Sequence, residues 1–263
     1  MKRLLMCPPE YYGIEYEINP WMRLEQKSIH GLAVKQWGEL YQTLTETLGV
    51  QVLLVAPQPG LPDMVFTANA GLPLGGKVIL SNFRHRQRQG EARYFKEWFE
   101  KNGYEVIMLP SEVAFEGAGD ALFLGDNLFA GYLFRSEVRG YAIIGEVLGV
   151  RVLSLELVDP RFYHLDTCLC PLSDKTAIYY PGAFDQYAIR VIENFIADPI
   201  AVSKEEALRF ACNAVVVRDA VVTAKGCPKL GEELMRRGYR HFELDLSEFI
   251  KAGGAAKCLT LEI

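Results

Sequence analysis

Four polar side chains stand at alternate positions in the stretch Tyr163 to Cys170, "YHLDTCLC": His164, Asp166, Cys168 and Cys170. Read as a strand, period two puts all four on one face. Two kinds of chemistry fit such a face. A metal would need about four nitrogen or sulfur ligands with tetrahedral reach, but the chain has four histidines, the other three of them elsewhere (His30, His85, His241), and no second close Cys/His pair. A cysteine nucleophile needs only a base or cationic neighbour, with a carboxylate to fix the histidine tautomer. Packing is the third reading, and the usual fate of a free cysteine.

The elements that must position these residues are legible as a repeat. "LGVQVLLV" (Leu48 to Val55), "NGYEVIML" (Asn102 to Leu109), "LGVRVLSL" (Leu148 to Leu155) and "RGYRHFEL" (Arg237 to Leu244) recur, roughly every 50 residues. Each follows an amphipathic helical segment such as "EARYFKEWFEKN", with a glycine where a helix C-cap needs a left-handed residue. The runs from Leu74, Leu124, Leu172 and Val217 read as hairpins. The "ADPIAVSKEEALRFACNAVVV" region fills the remaining slot without the glycine. About five units of ββαβ type result, and the N-terminal "RLLMCP" is expected to pair with the C-terminal "KCLTLEI", closing a ring without exposed sheet edges. The fold class is α/β, a cyclic propeller, expected to be a single domain spanning 1–263 because no linker or low-complexity tract interrupts it.

Aligning the units puts Asn69, Glu116 with Asp120, His164 with Asp166, Asn213 and Cys258 at about the same point in each, the start of the strand after the loop. In a closed ring such positions face one axis. Cys258, His164 and Glu116 would then meet although they are far apart in sequence.

At 263 residues, 50% hydrophobic and 23% charged, the composition is that of a globular protein able to bury a large core. The net charge of −5 comes without a basic patch, which argues against nucleic acid and for a small-molecule substrate. Partners, if any, are expected to be copies of the chain, as a homo-oligomer. The start "MKRLLMCPPE" is too short in apolar residues for a signal segment and no spanning run appears, so no membrane association and a cytoplasmic location are expected. The six cysteines are then core thiols, ligands or nucleophiles rather than disulfides.

The segments "MVFTANAG", "FEGAGD", "HLDT" and "GGAAKCLTLE", in that order and covering nearly the whole chain, resemble the guanidine-modifying enzymes: arginine deiminases, dimethylargininases, amidinotransferases and arginine dihydrolases. The resemblance implies a pseudo-fivefold α/β propeller, the pentein fold. It implies a hydrolase acting on C–N bonds of linear amidines, without cofactor or metal, with Cys258 as nucleophile, His164 as general acid/base and Glu116 as the acid beside it. Asp166 would hold the guanidinium, and Arg88 and Arg135 would grip a substrate carboxylate, a task suited to a planar bidentate donor. "EGAGD" carries one residue more than the family's E-G-G-D, which leaves the part of Asp120 in substrate binding open. Where deiminases have aspartate in F-T-R-D, this chain has Asn69 in Phe66-Thr67-Ala68-Asn69, and an amide there discriminates less against a neutral ureido group. "EINPWM" with "PDMVFTANAG" is most similar to the arginine dihydrolase domain of cyanobacterial and related bacterial enzymes, where Asn19 would also line the site. The expected activity is therefore hydrolysis of L-arginine to ornithine, two ammonia and carbon dioxide. Arginine deiminase, dimethylargininase and amidinotransferase remain open within the family, and a metal-dependent hydrolase or a non-catalytic arginine-binding protein outside it.

Overall fold

The computed structural model describes residues 2–263. Strand β1 (Arg3–Met6) leads through α1 (His30–Gln42), prolonged by a π-helical turn over Thr43–Thr47, to β2 (Gln51–Leu54), parallel to β1. The second unit runs β3 (Gly71–Leu74), β4 (Lys77–Leu80), α2 (Glu91–Lys101) and β5 (Glu105–Ile107), and the third β6 (Ala121–Leu124), β7 (Asn127–Tyr132), α3 (Val138–Leu148) and β8 (Arg151–Glu156). The fourth contains β9 (Leu169–Pro171), β10 (Thr176–Tyr179), α4 (Gln186–Phe195) and β11 (Asp198–Ala201). The fifth contains β12 (Val215–Val217), β13 (Ala220–Ala224), α5 (Pro228–Arg236) and β14 (Arg240–Leu244), followed by β15 (Leu261–Glu262).

These strands form five three-stranded sheets. In each, an antiparallel pair is joined by a helical crossover to a third, parallel strand, as in β3–β4–β5. The first sheet is made from both ends of the chain: β15 pairs antiparallel to β1, with Leu5 opposite Leu261 and Leu4 opposite Glu262. The ring closure expected from the repeat is therefore present, and with it the pentein fold.

Local chemistry explains the units. Asp185 accepts a hydrogen bond from the Ala188 N–H at 2.7 Å and caps α4, while Pro228 opens α5 at the position where a missing N–H costs nothing. Gly149 ends α3 at φ 67°, a left-handed turn that a side chain would strain. Each helix turns apolar residues onto its sheet: Leu40 on α1, Phe95 and Phe99 on α2, Ile144 on α3, Ile192 on α4, Leu234 on α5, all fully buried. Among the described residues no helix is long and apolar enough to cross a membrane.

One local expectation is corrected. His164 and Asp166 do not share a strand face with Cys168 and Cys170, because Leu165–Thr167 is a 3-10 turn and the strand begins only at Leu169. The turn is held by the Thr167 N–H and hydroxyl, both donating to the His164 carbonyl, and by the Cys168 N–H donating to Leu165. Thr67–Ala70 and Gly117–Gly119 are the corresponding turns of the neighbouring units. The aligned residues thus stand on or beside tight turns just ahead of the strands, not on the strands themselves.

Leu5 is fully buried where β1 meets β2 and β15, whereas Leu54 at the far end of β2 is 46% exposed. Leu5→Ala should lower unfolding free energy by about 2–5 kcal/mol, and Leu54→Ala should stay within about 0.5 kcal/mol of the parent. Urea titration of the two variants checks the difference.

Candidate active site

The turns converge at one end of the ring. Glu116 precedes the Gly117–Gly119 turn and is fully buried, yet its carboxylate is surrounded by donors. Oε2 meets Arg135 Nη1 at 3.1 Å and His164 Nε2 at 2.7 Å, and Oε1 accepts from the Arg84 N–H at 3.2 Å. Burial alone would push this carboxyl up. The Arg135 guanidinium, the His164 hydrogen bond and the Arg88 charge outweigh it and hold the carboxyl well below the usual range. Burial acts on His164 as well and lowers its affinity for a proton. Glu116 opposes that effect, and the nearby Arg135 and Arg88 reinforce it. The resting pair is a neutral imidazole beside an ionised carboxylate.

Cys258 and Asp166 form the other half. The Cys258 Sγ lies 3.4 Å from Asp166 Oδ2, and Asn213 Nδ2 donates to the same sulfur at 3.1 Å. Burial and the Asp166 charge raise the thiol well above its ordinary value. Burial raises the Asp166 carboxyl to about 7, against the opposing charge of Lys257 and hydrogen bonds from Cys258 and Asn213. Burial and the Asp166 charge both favour the protonated sulfur.

Asn69 is held between the halves. Its Oδ1 accepts from Arg88 Nη1 at 2.8 Å, and its Nδ2 donates to the Glu116 carbonyl at 3.3 Å. A Cβ on Gly119 would overlap Asn69 Nδ2, so the absence of a side chain there makes room for the amide. Its orientation is fixed by opposite demands at its two ends.

Three of the expected binding residues have other commitments. Arg88 is 3% exposed and forks onto Glu91, with Nε and Nη2 each 2.8 Å from a carboxylate oxygen, while Nη2 also donates to the Asp63 carbonyl. With Nη1 on Asn69, one of its five N–H groups is left, too few for a bidentate grip on a substrate carboxylate. Asp120 is already partnered within the protein: Ser136 donates to its Oδ2 at 2.6 Å and the Leu165 N–H to its Oδ1 at 3.1 Å, and Ser136 Oγ also accepts from the Glu116 N–H at 2.9 Å. Asp120 thereby ties the Glu116 and His164 turns together. Asn19 accepts from the Trp21 and Met22 N–H groups and donates to the Ala252 carbonyl at 3.0 Å, fastening the N-terminal loop to the segment leading into Cys258.

Arg135 is freer. It donates to Glu116 and to the Ile18 carbonyl, and its guanidinium lies 4.5 Å from the centre of the Tyr163 ring. Three N–H groups of its five remain for a ligand.

The sulfurs of Cys168 and Cys170 lie against carbonyls, of Leu165 and Ala214 respectively, each at 3.5 Å. All six cysteines are free and buried, and among the described residues no group of three or more His, Cys, Asp or Glu could hold a metal.

Comparison with known proteins fits this geometry. A family model described as N,N dimethylarginine dimethylhydrolase, eukaryotic, matches residues 14–263. The chain belongs to that family. It is 53% identical, over 99% of its length, to a bifunctional arginine dihydrolase/ornithine cyclodeaminase, AgrE, of Nostoc, and spans only 38% of that longer protein. It is 41% identical, over 100% of its length and 86% of the relative's, to the N(G),N(G)-dimethylarginine dimethylaminohydrolase of Mycobacterium tuberculosis. A crystal structure of the N-terminal domain of ArgZ, a cyanobacterial arginine dihydrolase, in a cysteine-to-serine form bound to substrate, matches with TM-score 0.96 at 52% identity, covering 100% of this chain and 98% of that one. Another form of that domain is covalently bound to a reaction intermediate.

Sequence reading in this dimethylhydrolase-family chain placed Asn213 at the aligned point but gave it no task. Its Oδ1 accepts from the Ala255 and Cys258 N–H groups while its Nδ2 reaches Cys258 Sγ and the Asp166 carbonyl. The repeat alignment was the signal for it. Ser136 and Glu91 carry no such signal, since neither stands at a repeated position.

Asp166→Asn removes the charge that disfavours the Cys258 thiolate. Iodoacetamide labelling of Cys258 at pH 8, followed by peptide mapping, should then be faster than in the parent by roughly 3- to 10-fold. Both proteins must open equally for the reagent, so an unchanged or slower rate would contradict the charge argument.

Proposed function

We propose that this chain is a cysteine-dependent hydrolase that converts L-arginine to ornithine, two ammonia and carbon dioxide, with residues 1–263 acting as one catalytic unit. The observation that carries this reading is the locked amide of Asn69. An aspartate in its place would set one carboxylate oxygen against the Glu116 carbonyl, 3.3 Å from the present Nδ2, acceptor against acceptor. The amide suits that position and adds no further negative charge, so a neutral ureido group is retained about as well as a guanidinium. The likeness to proteins named arginine dihydrolase supports the same outcome.

In this reading the guanidinium lies between Glu116 and Asp166, with Arg135 toward the substrate carboxylate and Arg88 acting chiefly through Asn69. The cation offsets the charge of Asp166 and favours the Cys258 thiolate, whose proton passes to His164. The sulfur attacks the guanidinium carbon, and the His164 proton goes to the departing nitrogen, which leaves as ammonia. His164 then takes a proton from a water that attacks the covalent amidino-enzyme, and expulsion of the sulfur leaves a ureido group. A second attack by Cys258 on that carbon releases the second ammonia. Hydrolysis of the resulting thiocarbamate frees a carbamate, which decomposes to ornithine and carbon dioxide. Two waters are consumed in all.

Purified protein given L-arginine should release about two ammonia per arginine, the count the two-step chemistry requires, with ornithine resolved by chromatography. Asn69→Asp should raise the share of citrulline, and an unchanged share would remove Asn69 from the partition. Cys258→Ser should lose on the order of 10³-fold or more in kcat at an unchanged melting temperature. The family match supports a second reading, in which N,N-dimethylarginine and water yield citrulline and dimethylamine, and the same chromatography separates those products.

A further inference from the structure

In four of the sheets the first strand starts next to a site turn and ends at a hairpin tip, and in the remaining one β15 runs from the Cys258 turn alongside β1, so the tips and the start of β1 gather at the other end of the ring. They surround a cavity of about 1060 Å³ to which all five sheets contribute. Its charged lining consists of Lys2, Arg3, Arg218 and Lys257 against Asp174 and Glu262. Among the charged side chains that is four positive and two negative, in a chain whose net charge is −5.

The positive groups are unequally matched. Lys2 is paired with Glu262 at 2.8 Å and also donates to the Val216 carbonyl at 2.6 Å. Arg3 donates to the Tyr104 hydroxyl, and Arg218 is exposed at a hairpin tip. Lys257 is half-buried, and its three ammonium N–H donors meet only the Thr260 carbonyl, at 3.4 Å. Among the described residues no carboxylate lies within ion-pairing distance of it. A partly desolvated ammonium facing a cavity, without a counterion, is completed by an anion.

We infer that this cavity is a binding site for a small oxyanion, of phosphate or carboxylate type, seated on Lys257 at the end of the ring opposite Cys258. The position couples the two ends. Lys257 precedes Cys258 in the chain, and its N–H donates to the Asn213 carbonyl at 3.2 Å. Its charge is the chief charge opposing the upward push of burial on the Asp166 carboxyl. An anion on Lys257 cancels part of that field, so Asp166 retains its proton more readily and holds a guanidinium less well. The coupling rests on the arginine-hydrolysing reading above, whereas the binding site does not.

Calorimetry with inorganic phosphate, and separately with succinate, at constant ionic strength tests the site. One anion should bind per chain, and the tighter of the two probes identifies the ligand as phosphate-like or carboxylate-like. Lys257→Met should weaken binding by about tenfold or more, about 1.4 kcal/mol. Lys257→Arg should restore it, which separates charge from misfolding, and Arg135→Met should leave it unchanged. No binding of either probe, binding that survives Lys257→Met, or binding lost with Arg135→Met would overturn the assignment. In turnover of arginine the bound anion should raise KM at constant kcat, and chloride at matched ionic strength should not. An inactive preparation that still binds phosphate through Lys257 would count against the functional reading and for the site, whereas active protein with KM indifferent to a bound anion would remove the coupling.

Discussion

A fully buried carboxylate sits at the centre of this ring, and the structure around Glu116 is arranged to let it stay ionised. Removing a carboxylate from water costs several kcal/mol even after relaxation, so its oxygens must find donors inside the protein. The donors come from Arg135, from His164 of the next unit and from the Arg84 N–H of the preceding one, while Ser136 fixes the backbone N–H of Glu116 itself. No single unit could supply this set. The cost of the charge is met only when neighbouring units are docked, which makes the carboxylate a reporter of correct assembly as well as a functional group.

The two carboxylates of the site live under opposite regimes. Cations hold Glu116 below the usual range, while burial lifts Asp166 to about 7 with Lys257 as the chief opposing charge. A cationic ligand therefore gains different things from each: a permanent negative charge at one side, and at the other a group whose ionisation the ligand itself promotes. The Cys258 thiol follows Asp166, since after burial it is the Asp166 charge that deters its ionisation. In the proposed reaction, binding of the guanidinium and activation of the sulfur are in that sense one electrostatic event.

Much of the ring was legible before any coordinates because it depends on local signals: an amphipathic helix, a left-handed glycine, a short apolar strand, repeated. The closure of "RLLMCP" on "KCLTLEI" followed from counting the strand left without a partner. The local form around His164 was misread because alternation of polar and apolar residues is shared by a strand and by this 3-10 turn, and what decides between them is distant. The Leu165 N–H is held by Asp120, 45 residues away, and Thr67 Oγ1 donates to the Leu5 carbonyl from 62 residues away. Asp120, Arg88 and Asn19 were recognised as members of the site for the same reason that their tasks were not: their residue types mark polar business at the ring axis, but which partners absorb them is set by the fold, as with Leu165 of the next unit for Asp120 and Ala252 of the fifth for Asn19. Arg88 differs, since Glu91, three positions on and within the same unit, takes two of its donors.

Asn213 shows how a repeat becomes an active centre. Its carbonyl oxygen accepts from the N–H groups of Ala255 and Cys258, as a capping side chain accepts from the first turn of a helix. Its amide nitrogen at the same time donates to the Cys258 sulfur and to the Asp166 carbonyl. One rigid side chain thus sets the direction of the Cys258 backbone, the place of its sulfur and the turn that carries Asp166. These contacts lie within the protein's own hydrogen-bond network, so the cost of ordering the Cys258 sulfur falls on folding. The fivefold arrangement supplies the geometry for this: equivalent turns of adjacent units lie close enough for one amide to span them, so a position that merely joins units elsewhere in the ring here joins Cys258 to Asp166.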